Sequence, residues 1–153
     1  RLSREVLVYV AKLPQDTPAL PLLKAAGELE HLADLAKRAL RKAERLWTQG
    51  VTFSPEGKAE LARIVERTLA RLERALTALA TGNRALAERV LAEYPEVLAE
   101  GEASREAHLR RLRDRVETRA STLTHLDLLL LLEELNLGVN RLARLVEEIH
   151  KEG

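Results

Sequence analysis

The sequence predicts an all-α fold: an up-and-down antiparallel bundle of about four long helices preceded by an irregular N-terminal arm. Three observations carry this. Leucine, alanine, glutamate and arginine dominate, a helix-forming composition with few glycines or β-branched residues inside the periodic stretches. Apolar residues recur at spacings of three and four over long windows. Each window ends in a short cluster of residues that break or cap helices.

Residues 1–21 form the expected arm or linker, because Pro14, Asp16, Thr17, Pro18 and Pro21 follow a short apolar patch at Val6 to Val10. Residues 22–153 form the expected bundle domain. Its first helix is predicted from about Leu22 to Trp47. Leu22, Ala26, Leu29, Ala33, Ala36, Leu40, Ala43 and Trp47 share one face, and Gln49-Gly50 provides the stop. The second starts at Ser54-Pro55-Glu56-Gly57, where serine suits the N-cap, proline the first turn and Glu56 the positive end of the helix dipole. Leu61, Val65, Leu69 or Thr68, Leu72, Leu76 and Leu79 are expected inward, with Arg63, Glu66, Arg67, Arg71 and Arg74 facing water. Thr81-Gly82-Asn83 ends it.

The third helix is predicted from Arg84 to about Arg115, with a kink or break near Glu93 imposed by Pro95. The fourth opens at Ser121-Thr122 or Thr124 and runs to His150, turning Leu128, Leu132, Leu135, Val139, Leu142, Val146 and Ile149 inward. Its apolar first half marks it as the most buried. Short connections between long helices favour antiparallel neighbours.

At 153 residues and 46% hydrophobic content the chain is long enough for one domain with a real core. The formal net charge of +1 points to neither nucleic acid nor an acidic partner, and the scarcity of aromatics leaves no stacking platform for single strands. The absence of cysteine excludes disulfides, thiolate metal sites and thiol catalysis. The leucine run Leu128 to Leu132 falls far short of the roughly 20 apolar residues of a membrane-spanning helix. The start at Arg1, without methionine or leader, suggests a processed product or a fragment.

Candidate chemistry is sparse. Glu28-x-x-His31 and Glu147-x-x-His150 invite comparison with the paired motifs of ferritin-like di-iron bundles. Yet His31 lies roughly 13 Å into its helix, at about 1.5 Å per residue, while His150 is terminal. Glu147 and His150 also fall off the inward stripe, so they are expected to be solvated. His108 and Arg111, three apart on one face, are candidate ion-pair or anion-contact residues. Glu133 or Glu134 must lie at the core boundary and needs a partner, for which His108 or an arginine of the third helix is the natural candidate. Six arginines against three acids between Arg105 and Arg119 give a local positive excess suited to acidic headgroups or a partner protein. No serine has a nucleophile-elbow setting and no glycine loop cradles phosphate, so neither a hydrolase nor a nucleotide-binding fold is supported.

Read in order, several segments resemble the PhoU-like C-terminal cytoplasmic domain of the bacterial sodium/phosphate cotransporter family. They are Asp16-Thr-Pro-Ala-Leu20 with Glu28-Leu-Glu-His-Leu-Ala-Asp34, Phe53-Ser-Pro-Glu-Gly-Lys-Ala-Glu-Leu61, Thr77-Ala-Leu-Ala-Thr-Gly-Asn-Arg-Ala-Leu-Ala87, Arg105-Glu-Ala-His-Leu-Arg-Arg-Leu112 and Leu126-Asp-Leu-Leu-Leu-Leu-Leu-Glu-Glu-Leu135. The resemblance implies a non-catalytic regulatory or accessory domain in phosphate transport. It would lie on the cytoplasmic face and act through contacts with a transporter's membrane domain or a phosphate-signalling protein, or as a homodimer. PhoU proteins bind metal clusters through acid-x-x-x-Asp motifs. The corresponding places here hold Tyr94 and Leu98, and Glu133 and Leu137. Too few oxygen ligands remain for a multinuclear site, so no metal or other cofactor is expected.

Overall fold

A computed structural model describes residues 2–14, 19–114 and 118–150. Among the described residues there are six helices and no strand: α1 (Leu2–Val10), α2 (Ala19–Gln49), α3 (Pro55–Thr81), α4 (Arg84–Ala92), α5 (Tyr94–Arg113) and α6 (Arg119–Ile149).

Local chemistry accounts for the boundaries. Ser54 caps α3 by accepting from the Gly57 amide at 3.1 Å, with Pro55 in the first turn where its missing N–H is not needed. Gly82, at φ 71°, closes α3, its amide donating to the Ala78 carbonyl, and Asn83 then caps α4 through the Leu86 amide. The break between α4 and α5 falls on Glu93, two residues before Pro95. Thr118 caps α6 through the Ser121 amide, so α6 starts at Arg119, earlier than the predicted Ser121 or Thr124.

The two-residue reversal at Gly82 also sets a tight contact: a Cβ there would meet the His150 ring at 2.9 Å. Gly82→Ala is therefore expected to cost about 1–2 kcal/mol in urea unfolding, from the left-handed backbone and the displaced ring together.

The arm is not irregular throughout. Residues 2–10 form α1, which packs against α2, and α2 begins at Ala19 with Pro21 accommodated in its first turn. Asp16, Thr17 and Pro18 lie outside the described residues, as does Arg115 at the end of the predicted third helix.

Ion pairs give the helix directions. Lys24 with Glu148, Glu28 with Arg141 and Lys42 with Asp127 run α2 antiparallel to α6. Glu60 with Arg111 and Arg67 with Glu96 do the same for α3 and α5. His125 with Gly57 and His150 with Leu79 make α3 and α6 parallel. The long helices thus alternate up and down, with α4 and α5 running in one direction as a single antiparallel leg beside α3, but α2 and α3, joined by a short connection, share no packed interface. Helix α6 is central, with α2 on one side and α3, α4 and α5 on the other. The core is built on Leu128, Leu132, Val139, Leu142 and Val146 of α6, with Leu32, Ala75, Ala78 and Val90 from the surrounding helices.

Two predicted faces are corrected. On α2 the buried side chains are Ala25, Ala26, Leu32, Leu35 and Leu46; Ala33, Ala36, Leu40 and Ala43 are exposed and Trp47 is 88% exposed. Without α3 beside it, the second apolar stripe of α2 has no covering helix. On α3 the predicted Leu61, Val65, Thr68, Leu72 and Leu79 do pack inward, but the most buried seam is Ile64, Thr68, Arg71, Ala75 and Ala78, and Leu69 and Leu76 are exposed. Small residues there let α3 approach α6 closely, and Arg71, expected in water, is 1% exposed.

Candidate functional site: two buried polar clusters along α6

The first cluster lies midway along α6. Arg71 donates through Nη1 to Asn136 Oδ1, and through Nη2 to Asn140 Oδ1 and the Val90 carbonyl, the last at 2.9 Å. Its guanidinium carbon lies 5.5 Å from the centre of the Tyr94 ring. Asn136 is held by its own donations to Thr68 Oγ1 at 2.8 Å and to the Leu132 carbonyl at 2.9 Å. Burial lowers the Arg71 pKa from its ordinary value, opposed by the nearby carboxylate of Glu93, which itself pairs with Arg74. The cluster is a buried cation held by neutral oxygen acceptors, and it fixes the register of α3 against α6.

The second cluster gathers where α3 and α6 begin and α5 ends. His108 of α5 and His125 of α6 are both 0% exposed and stack with ring centres 3.3 Å apart and planes at 28°. Phe53, on the segment leading into α3, meets both rings edge-on, at 6.2 and 5.1 Å between centroids. Glu60 of α3 closes the group. It accepts a two-pronged pair from Arg111 at 3.0 and 2.9 Å and a hydrogen bond from Ser104 at 3.1 Å.

His125 Nε2 lies 3.2 Å from the Gly57 carbonyl, which can only accept, so the neutral ring carries its proton on Nε2 and its lone pair on Nδ1. Burial, followed by the proximity of His108, pushes the His125 pKa from 6.5 down to about 4; the Gly57 bond and Glu60 oppose this only in part. Burial of Glu60 works to raise its pKa, but the bonds from Arg111 and Ser104 outweigh it and hold the carboxyl below its ordinary value.

Of the sequence candidates, Arg111 is thus engaged with Glu60, and Glu133 pairs with Arg105 at 3.0 Å. His108 lies in the interior, not in a surface ion-pair array. The four residues of the ferritin-like alternative do not assemble. Glu28 is held by Arg141, His31 is exposed and His150 bonds the Leu79 carbonyl. Among the described residues the one group of three or more metal-ligating side chains within reach of each other is Glu60, His108 and His125. His125 and Glu60 are not among the candidates that motif spacing picks out. His125 carries a signal in helical spacing, since it shares the inward face of Leu128, Leu132 and Asn136.

Lys42 and Asp127 pair at 2.7 Å on the surface. Lys42→Met is expected to change stability by less than about 1 kcal/mol in urea unfolding, setting a scale for the buried clusters.

No family model matches the chain, and neither a curated protein nor a solved structure matches it. Among the described residues no helix is long and apolar enough to cross a membrane.

Proposed function

We propose that this chain is a non-catalytic regulatory or accessory bundle of the type found as the PhoU-like part of sodium/phosphate cotransporter-family proteins, acting on phosphate transport through protein contacts at the cytoplasmic face of the membrane. The observation that carries the reading is the ordered match of segments to helical places. Phe53 to Leu61 opens α3, Thr77 to Ala87 spans the α3–α4 reversal, Arg105 to Leu112 lies in α5 and Leu126 to Leu135 in the first half of α6. The uncovered stripe of Ala33, Ala36, Leu40, Ala43 and Trp47 on α2 adds support, because an exposed apolar surface with a large aromatic suits a protein partner. The partner in this reading is the transporter's membrane domain.

The coding frame upstream of Arg1 tests the proposal. A multi-helix membrane segment in the same frame is expected, and a frame without one removes the cotransporter reading.

A further inference from the structure

We infer that Glu60, His108 and His125 form a binding site for one divalent first-row transition-metal ion, of which zinc is the best fit. The inference is independent of the transporter reading.

The donor set is two imidazoles and one carboxylate, a combination that suits zinc and its neighbours better than the hard cations magnesium and calcium, which favour oxygen ligands. Each residue comes from a different helix, and one potential ligand atom from each lies within 4.8 Å of the others. Zinc bonds of about 2.0–2.2 Å would draw these atoms closer together, a side-chain adjustment that turns the stacked rings apart.

A second observation comes from His125 itself. It is fully buried, and its Nδ1 has no hydrogen-bond partner among the described residues. The bond between Nε2 and the Gly57 carbonyl fixes the tautomer that leaves the Nδ1 lone pair available. A metal-ligating histidine usually has its other ring nitrogen held in this way. A buried acceptor left without a partner is otherwise a cost to folding.

Arg111 and Ser104 complete the surroundings. When Glu60 turns one oxygen to the ion, the other keeps a bond from Arg111, which then orients the ligating carboxylate. A surface cleft lined by Glu60, Arg63, Ile64, Glu100, Ala103 and Ser104 gives an ion a route to the carboxylate. The three protein ligands leave a coordination position open for water or another small donor.

The test is titration of the chelator-stripped full chain with Zn²⁺ alone, followed by calorimetry and by NMR of ¹⁵N-labelled histidine rings. Saturation at one ion per chain is expected, with the ring signals of His108 and His125 shifting and that of exposed His31 unchanged. His125→Gln and Glu60→Gln, checked for retained helix content, are each expected to weaken binding by roughly 100-fold or more. No uptake by the folded chain overturns the inference, as do shifts confined to His31 or His150, or folded variants that bind as tightly as the parent. Should both variants unfold, the ring signals of the unaltered chain still decide. None of these outcomes bears on whether a membrane segment precedes Arg1.

Discussion

Replacing Asn136 by leucine is expected to destabilise the fold by about 3–5 kcal/mol, because it strands the buried guanidinium of Arg71. Asn136 supplies one of that cation's oxygen acceptors and is itself anchored to Thr68 and Leu132, so the substitution unties α3 from α6 at the centre of their interface. Leucine keeps the branched outline of asparagine but is bulkier and carries no acceptor, so the loss combines some overpacking with the larger electrostatic cost. That cost reflects the desolvation of a charge whose remaining partners are Asn140, the Val90 carbonyl and the face of Tyr94. Replacing the charged centre as a whole, with Arg71→Met and Asn140→Leu added, is expected to recover most of the lost stability, because no buried charge then remains and only the Val90 carbonyl and the Thr68 hydroxyl give up a partner. Urea unfolding of the single and combined variants measures both effects, and a non-additive series identifies the coupling.

Acid is expected to weaken the metal-free protein well before its carboxylates titrate. The unfolded chain protonates His125 near 6.5, whereas the folded chain resists protonation down to about 4. Between those values the unfolded state binds more protons, so stability rises with pH. The contribution is complete above pH 6.5 and is lost as pH falls to about 4, amounting to about 3 kcal/mol across the window. Glu60 acts lower. Its depressed pKa stabilises the fold above its ordinary value of 4.5, and that stabilisation is lost as pH falls through the folded value. Urea midpoints measured with a chelator from pH 7 to 4 should show the slope, and His125→Gln should flatten its upper part. A parent protein with constant stability between pH 6.5 and 5 would contradict the neutral, buried state of His125.

The punctuation of the fold was legible in the sequence because it is local chemistry. Ser54-Pro55, Gly82-Asn83 and Glu93 before Pro95 determine helix ends through caps, φ and missing amides, and none of these depends on distant residues. The inward face of α6 was also legible, since that helix is apolar over most of its circumference. The faces of α2 and α3 were legible only in part: Ala26, Leu29, Leu61, Val65, Thr68, Leu72 and Leu79 pack inward as expected, whereas Leu69, Leu76 and the stripe from Ala33 to Trp47 do not. Each carries two overlapping apolar stripes, and which one is buried depends on which neighbour arrives. The leucine stripe of α3 is the more hydrophobic, but the seam of Thr68, Ala75 and Ala78 permits the closer approach. Arginine can occupy the middle of that seam only because Asn136 and Asn140 are presented from a helix 65 and more residues away in the chain. No local pattern announces such a pairing.

The candidate metal site shows the same division. The sequence drew attention to His108 and Arg111 through their spacing, but Glu60 and His125 join them only through packing of α3, α5 and α6. A lone histidine in a leucine-rich helix reads as a tolerated core residue until its neighbours across the bundle are known. The alternative motifs Glu28-x-x-His31 and Glu147-x-x-His150 had the more familiar spacing, yet their residues are engaged elsewhere or exposed. Motif spacing within single helices was therefore a poorer guide to ligand geometry than the facing positions of three helices.

The regulatory reading is tested most directly by sodium-dependent uptake of radiolabelled phosphate in cells that make the protein, compared with cells in which the segment coding for residues 19–150 is deleted in frame. Deletion is expected to change the uptake rate at equal transporter abundance, and polar substitution of Leu40 and Trp47 together is expected to produce a change in the same direction without unfolding the bundle. Uptake identical in rate and sodium dependence with and without the segment would contradict the regulatory reading.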